Sequence, residues 1–183
     1  METDIEIPRS VDSDEHWKAF EAAANARFDE AIAICWDAVR REPAAVWPFE
    51  MLGYVFQRTG DTGGAIAALE RATQTPPPKA TLLHALGRLY YRTGAFRKAI
   101  RAFERALELD PGQSAGYYLK GLAEYHAGLT RRAIQSFSRA IDLDPSNIVA
   151  KYHLAVAHSR AGDLRSAIDA LESVGGAGAE DAA

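Results

Sequence analysis

The chain holds one cysteine, Cys35, among 183 residues. A lone thiol rules out an internal disulfide, a CxxC redox pair and a zinc ribbon. Long apolar runs are also missing, and those present last only a few residues, too few to span a bilayer. The opening segment METDIEIPRS lacks the basic-then-apolar order of a secretory signal, so an intracellular, cytoplasmic protein without membrane insertion is expected. No sign of charge dominates, with 21 basic against 25 acidic side chains. The distribution is uneven, however. Glu2, Asp4, Glu6, Asp12, Asp14 and Glu15 crowd the first fifteen residues against only Arg9, while residues 16–179 are mildly basic. At 48% hydrophobic and 25% charged residues the composition is that of a chain that folds, and its length suits one domain or one array.

What the sequence does have is a period. Pro43, Pro77, Pro111 and Pro145 stand 34 residues apart, and so do Ala31, Ala65, Ala99, Ala133 and Ala167. Gly53, Gly87 and Gly121 keep the same spacing, as do Gly60, Gly94, Gly128 and Gly162, and Ile32, Ile66, Ile100, Ile134 and Ile168. So many coincident columns define an array. It divides into units at about 12–45, 46–79, 80–113, 114–147 and 148–174, between an acidic flexible leader, 1–11, and a flexible Gly/Ala-rich tail, 175–183.

Each unit reads as two helices. In the third, Leu83, Leu86, Gly87 and Tyr90 form one stripe at helical spacing, Thr93 and Gly94 break it, and Ala99, Phe103, Ala106 and Leu107 form a second. Asp110 and Pro111 end the second helix, because proline clashes with a continuing turn. Small residues at Gly87, Ala99 and Ala106 allow close approach while Phe103 fills the remaining space.

This pattern resembles the tetratricopeptide repeat family. The third unit carries Leu83, Leu86, Gly87, Tyr90, Ala99, Phe103, Ala106 and Pro111 in the family's order, with Leu83 where the family usually has Trp. The resemblance covers about residues 12–174. It implies an all-α, right-handed superhelical solenoid of about five helix-turn-helix repeats, non-enzymatic and without a cofactor, that holds a protein or peptide partner in a concave groove. Two places depart from the pattern. The first unit has Glu15, Lys18 and Ala22 in columns that are usually apolar, with Trp17 and Phe20 off the stripe. The fourth has Lys120 and Glu124 in the Leu and Tyr columns, which predicts a partly exposed pair with packed stems and charges in water.

Catalytic constellations are wanting. His16, His84, His126, His153 and His158 include no i,i+4 pair that could hold a metal, so no metal site is expected. The Gly-rich pieces at Gly60–Gly64 and Gly175–Gly178 follow no strand and do not read as phosphate cradles. Asp142 and Asp144 belong to helix-ending turn chemistry, as Asp110 does one unit earlier. Cys35 shares a column with Leu69, Phe103, Phe137 and Leu171, which predicts a buried apolar substitute and no nucleophile. No catalytic residue is expected.

Two surfaces could carry function. On the leading helices an i, i+4, i+7 stripe lies off the packing columns and, by the resemblance, faces the groove. It comprises Glu50, Tyr54 and Gln57; His84, Arg88 and Tyr91; Tyr118, Leu122 and Tyr125; and Tyr152, Val156 and Ser159, with His16 and Phe20 added from the first unit. These tyrosines serve either the groove or contacts with neighbouring helices. The second surface is basic: Arg71, Arg105 and Arg139 share one column and Arg97, Arg131 and Arg165 another, interrupted by Glu70, Glu104 and Glu108. Such a run usually marks a solvated face, and nucleic acid is not the expected partner. Tetratricopeptide modules that grip acidic tails use Lys, Arg and Asn on successive leading helices, and that clamp is missing here. The expected ligand is therefore an extended or helical apolar segment anchored on Tyr91, Tyr118 and Tyr125 and oriented by Arg88. A rival expectation is self-association, because no polar capping helix follows the fifth unit and Ile168, Leu171 and Val174 form its open side.

Overall fold

The computed structural model describes residues 14–175, and among these every regular element is a helix. In chain order they are α1 (Asp14–Ala24), α2 (Phe28–Arg41), α3 (Trp47–Thr59), α4 (Thr62–Gln74), α5 (Ala80–Arg92), α6 (Phe96–Leu109), α7 (Ser114–His126), α8 (Thr130–Leu143), α9 (Ile148–Ala161) and α10 (Leu164–Gly175). The leader 1–11 and, apart from Gly175, the tail 175–183 lie outside the described residues. The chain forms two compact units, one ending at Leu89 and the other beginning at Tyr90.

Local chemistry sets the turn within each helix pair. Gly60, Gly94, Gly128 and Gly162 all have φ between 74° and 84°, a left-handed conformation that glycine adopts without a Cβ clash. The first pair carries Ala26 at this position, forced to φ 59°. Asp61 then caps α4 by accepting the Gly64 N–H at 2.8 Å, and Asn147 caps α9 by accepting the Ala150 N–H at 2.9 Å.

Packing follows the columns. Ala31, Ala65, Ala99 and Ala133 are fully buried, as are Phe103 and Phe137. The glycine column is small because the large column presses on it. A Cβ at Gly53 would stand 2.7 Å from Leu69 Cδ2, and one at Gly121 2.7 Å from Phe137 Cδ1. Cys35 is fully buried in the same column, and burial pushes its thiol up to about 12, which keeps it protonated and inert.

In α1 the buried face is His16, Ala19, Ala22 and Ala23, so Ala19 takes the glycine column. Glu15 turns outward to Arg41, 2.6 Å away, and the hydrogen bond from this guanidinium holds its carboxyl below the usual range. The Lys120–Glu124 expectation needs correction. Glu124 is completely buried: it accepts the Ser136 hydroxyl at 2.6 Å, lies 3.0 Å from Arg132 and only 3.9 Å from Lys120. The second helix of the repeat supplies these partners, so the carboxylate need not reach water. Arg132 also meets Glu104 at 2.5 Å, which ties α6 to this cluster.

Candidate functional site

The i, i+4, i+7 stripe of the leading helices has a structural task that its spacing alone does not reveal. In the second unit, Tyr118, Leu122 and Tyr125 of α7 pack with Ile134 and Leu154 around a core of Ala133, Phe137 and Ala157. The His153 ring of α9 lies 5.5 Å from Tyr118 and 5.8 Å from Phe137. Thus α9 sits on a floor made of the α7 stripe and the Ala133–Ile134–Phe137 ledge of α8. Burial raises the Tyr118 hydroxyl above its ordinary value, with the Tyr91 hydroxyl adding to the shift.

Earlier stripe residues are also partly closed. Glu50 and Tyr54 are buried, which removes them from any open groove; Glu50 pairs with Lys79 at 2.7 Å, and the Tyr54 hydroxyl accepts Arg58 Nη1 at 2.9 Å. Gln57 is half-buried and donates to the Gly53 carbonyl on its own helix. His84 and Arg88 are half-buried on α5. Tyr91 is half-buried against Phe96 and His126, each 5.6 Å away between ring centres, and burial raises its hydroxyl. His16 is buried and stacked 4.9 Å from Trp47, while Phe20 is half-buried beside Trp17. The anchors expected at Tyr118 and Tyr125 are therefore largely engaged in seating α9.

One period later the same floor is open. Adding 34 to Tyr118, Leu122, Tyr125, Ala133, Ile134 and Phe137 gives Tyr152, Val156, Ser159, Ala167, Ile168 and Leu171. All six line one cleft of about 580 Å³ between α9 and α10, with Tyr125, Ala155, Arg160 and Leu164 completing it. Phe137 is fully buried, but Leu171 in its column is 48% exposed, and Ile168 and Tyr152 are 56% and 54% exposed. The stripe and the self-association face, read from sequence as separate surfaces, meet here. Val174 is half-buried and is not among the lining residues. The walls are apolar apart from Ser159 and Arg160. The Arg160 guanidinium lies 4.6 Å from the centre of the Tyr125 ring, and its Nη1 donates to the Tyr125 carbonyl at 3.4 Å.

The basic columns are partly absorbed by packing. Arg71 lies over Phe49 at 5.6 Å and Arg139 over Tyr117 at 5.9 Å, and both are exposed, as are Arg97, Arg105, Arg131 and Arg165. Among the described residues no group of three or more His, Cys, Asp or Glu side chains could hold a metal ion, and no helix is long and apolar enough to cross a membrane.

Helix pairs repeated at a fixed period define an α-helical repeat protein of the kind that scaffolds protein–protein contacts. Residues 84–148 and 125–183 each match a family model described as tetratricopeptide repeat, so the matches together cover more than half of the sequence. The chain belongs to the tetratricopeptide repeat family, and its fold is the all-α solenoid of that family. A crystal structure of MamA superposes with a TM-score of 0.81 at 22% identity, over 87% of this chain and 87% of that one. MamA 41-end from Desulfovibrio magneticus RS-1 gives 0.79 at 19% identity, over 93% and 99%. YrrB, described as a TPR protein with an unusual peptide-binding site, gives 0.80 at 18% identity, over 87% and 82%. At these identities the likeness is one of fold. No curated protein matches the sequence.

Proposed function

We propose that this protein is a non-enzymatic interaction scaffold whose working surface is the cleft between α9 and α10, and that this cleft receives an apolar helix of a protein partner. One observation carries the reading: the cleft repeats, column for column, the floor on which α9 rests, with Val156, Ser159 and Leu171 in place of Leu122, Tyr125 and Phe137, yet no described residue covers it. A floor that holds a helix once has the shape to hold one again. The apolar walls favour a helix with a hydrophobic face over an acidic tail, since one arginine at an exposed rim contributes little by itself. YrrB, with its own peptide-binding site, is a precedent for ligand binding on this fold. The anchors shift from the tyrosines expected by sequence to Tyr152, Ile168 and Leu171, which combine apolar area with access.

The test is selection of helical peptides from a displayed library on the full chain, followed by titration of the selected peptide at two ionic strengths. Tyr152→Ala should weaken binding by ~2 kcal/mol, the scale of an interface anchor. Arg105→Ala, on an exposed face outside the cleft, should leave it unchanged. Affinity should survive high salt, because buried apolar contacts are not screened. Loss of binding in Arg105→Ala alone, or collapse of binding with salt, would refute the assignment.

A further inference from the structure

We infer that the partner entering this seat is a second copy of the chain, which lays its own α10 antiparallel across α10 about a two-fold axis. The inference rests on the helix-seat reading and names the occupant. The first argument is area. Ile148, Val149, Tyr152, Leu164, Ile168 and Leu171 all lie on α9 and α10, and each is 48–64% exposed. At ~150–200 Å² a side chain they offer about 500 Å² of apolar surface, in the upper part of the ~300–600 Å² range of a monomer's largest patch, a size that is often functional. With a polar rim this approaches the ~800 Å² per partner of a stable interface.

The second argument is self-complementarity. Leu164, Ile168 and Leu171 fall at i, i+4 and i+7, on one face of α10. An antiparallel copy puts its Leu164 opposite Leu171 and its Ile168 near Ile168, and the buried Ala167 lets the two helices approach. Charge agrees with this register. Arg165 and Glu172, both exposed, border the same edge of the stripe two turns apart. Reversing one helix brings Arg165 of each copy to Glu172 of the other, so the pair forms twice about the axis.

Other occupants fit less well. The α1 of a second copy suits the seat less, because it carries Asp14 and Glu21 where the following leading helix has Pro48 and Val55, both buried. That arrangement would desolvate two carboxylates. Residues 175–183, GGAGAEDAA, hold no large apolar side chain.

Sedimentation of the full chain over a concentration series tests the proposal. A reversible dimer is expected, and Ile168→Glu should leave only monomer while the helical circular dichroism is retained. Arg165→Glu and Glu172→Arg should each weaken the dimer, by roughly tenfold or more, and an equimolar mixture of the two variants should restore a heterodimer. A chain that stays monomeric at the highest concentration overturns the proposal, as does a dimer indifferent to Ile168→Glu. Failure of the mixed variants to recover overturns the antiparallel register. The peptide selection separates this result from the broader reading. A monomer that still binds selected helices, and loses them on Ile168→Glu, keeps the seat and gives it to another protein; a monomer that binds none overturns both readings.

Discussion

Gly121→Ala adds one methyl group, and the structure sets its cost. The new Cβ would stand 2.7 Å from both Cδ1 and Cε1 of Phe137. That ring cannot easily retreat, because it is fully buried with the Tyr118 ring 6.0 Å away on one side and His153 at 5.8 Å. Overpacking of this kind costs ~1–3 kcal/mol, against which alanine in a helix returns at most about 1 kcal/mol relative to glycine. A net loss of about 1–2 kcal/mol is expected in urea unfolding followed by far-ultraviolet circular dichroism. Gly63→Ala provides the control. Gly63 is exposed on α4, its nearest neighbour to a new Cβ is Asp61 Oδ1 at 3.6 Å, and the substitution should stabilise by up to ~1 kcal/mol. The clash also predicts coupling. On a Phe137→Leu background, where a flexible branch replaces the flat ring, Gly121→Ala should cost about 1 kcal/mol less than in the parent. The chain already pairs Ala155 with Leu171 and Ala19 with Cys35 in these columns, which is the compensation the double variant would reproduce. If Gly121→Ala stabilises as Gly63→Ala does, or if the two substitutions simply add, the helix-pair packing described above is wrong.

Two further predictions concern single residues. Ala26→Gly should stabilise the protein by ~0.5–1 kcal/mol in the same assay, because Ala26 is held at φ 59° where the later repeats use glycine, and relief of that strain outweighs the extra freedom gained by the unfolded chain. Cys35 should not react with a thiol reagent until the protein unfolds. Since its thiol rises from an ordinary 9.0 to about 12, the unfolded state loses the proton first, so stability should fall between these values as pH rises, and less steeply in Cys35→Ser.

Much of the fold was legible because a period repeats the same packing problem. Columns of Ala and Gly opposite Phe or Leu admit one solution, close approach of two helices, and the buried Phe103, Phe137 and Ala133 follow from it. The partners of Glu124 were not legible. Ser136 and Arg132 lie on the other helix of the repeat or beyond its apolar face, and no i,i+4 rule connects them to Glu124. His16 was hidden for a similar reason: its stacking on Trp47 crosses from α1 to the next helix pair, and the first unit departs from the columns that would have located it.

The candidate site illustrates a deeper ambiguity. A stripe at i, i+4, i+7 reports that a helix has a second contact face, but a regular array cannot reveal from the stripe alone whether that face meets a ligand or the next repeat. Tyr118 and Tyr152 occupy the same column, and both are tyrosine. Tyr118 is fixed against Phe137 and His153, whereas Tyr152 stands 54% exposed. Their difference comes from what lies one period further along. The α7–α8 floor is already occupied by the protein's own next helix, α9, whereas no described residue covers its counterpart on α9 and α10. Leu171 is exposed, whereas Cys35, Leu69, Phe103 and Phe137 in its column are fully buried. Substitutions at Tyr118 should therefore act mainly on stability, and those at Tyr152 on association, although the two residues are equivalent in sequence.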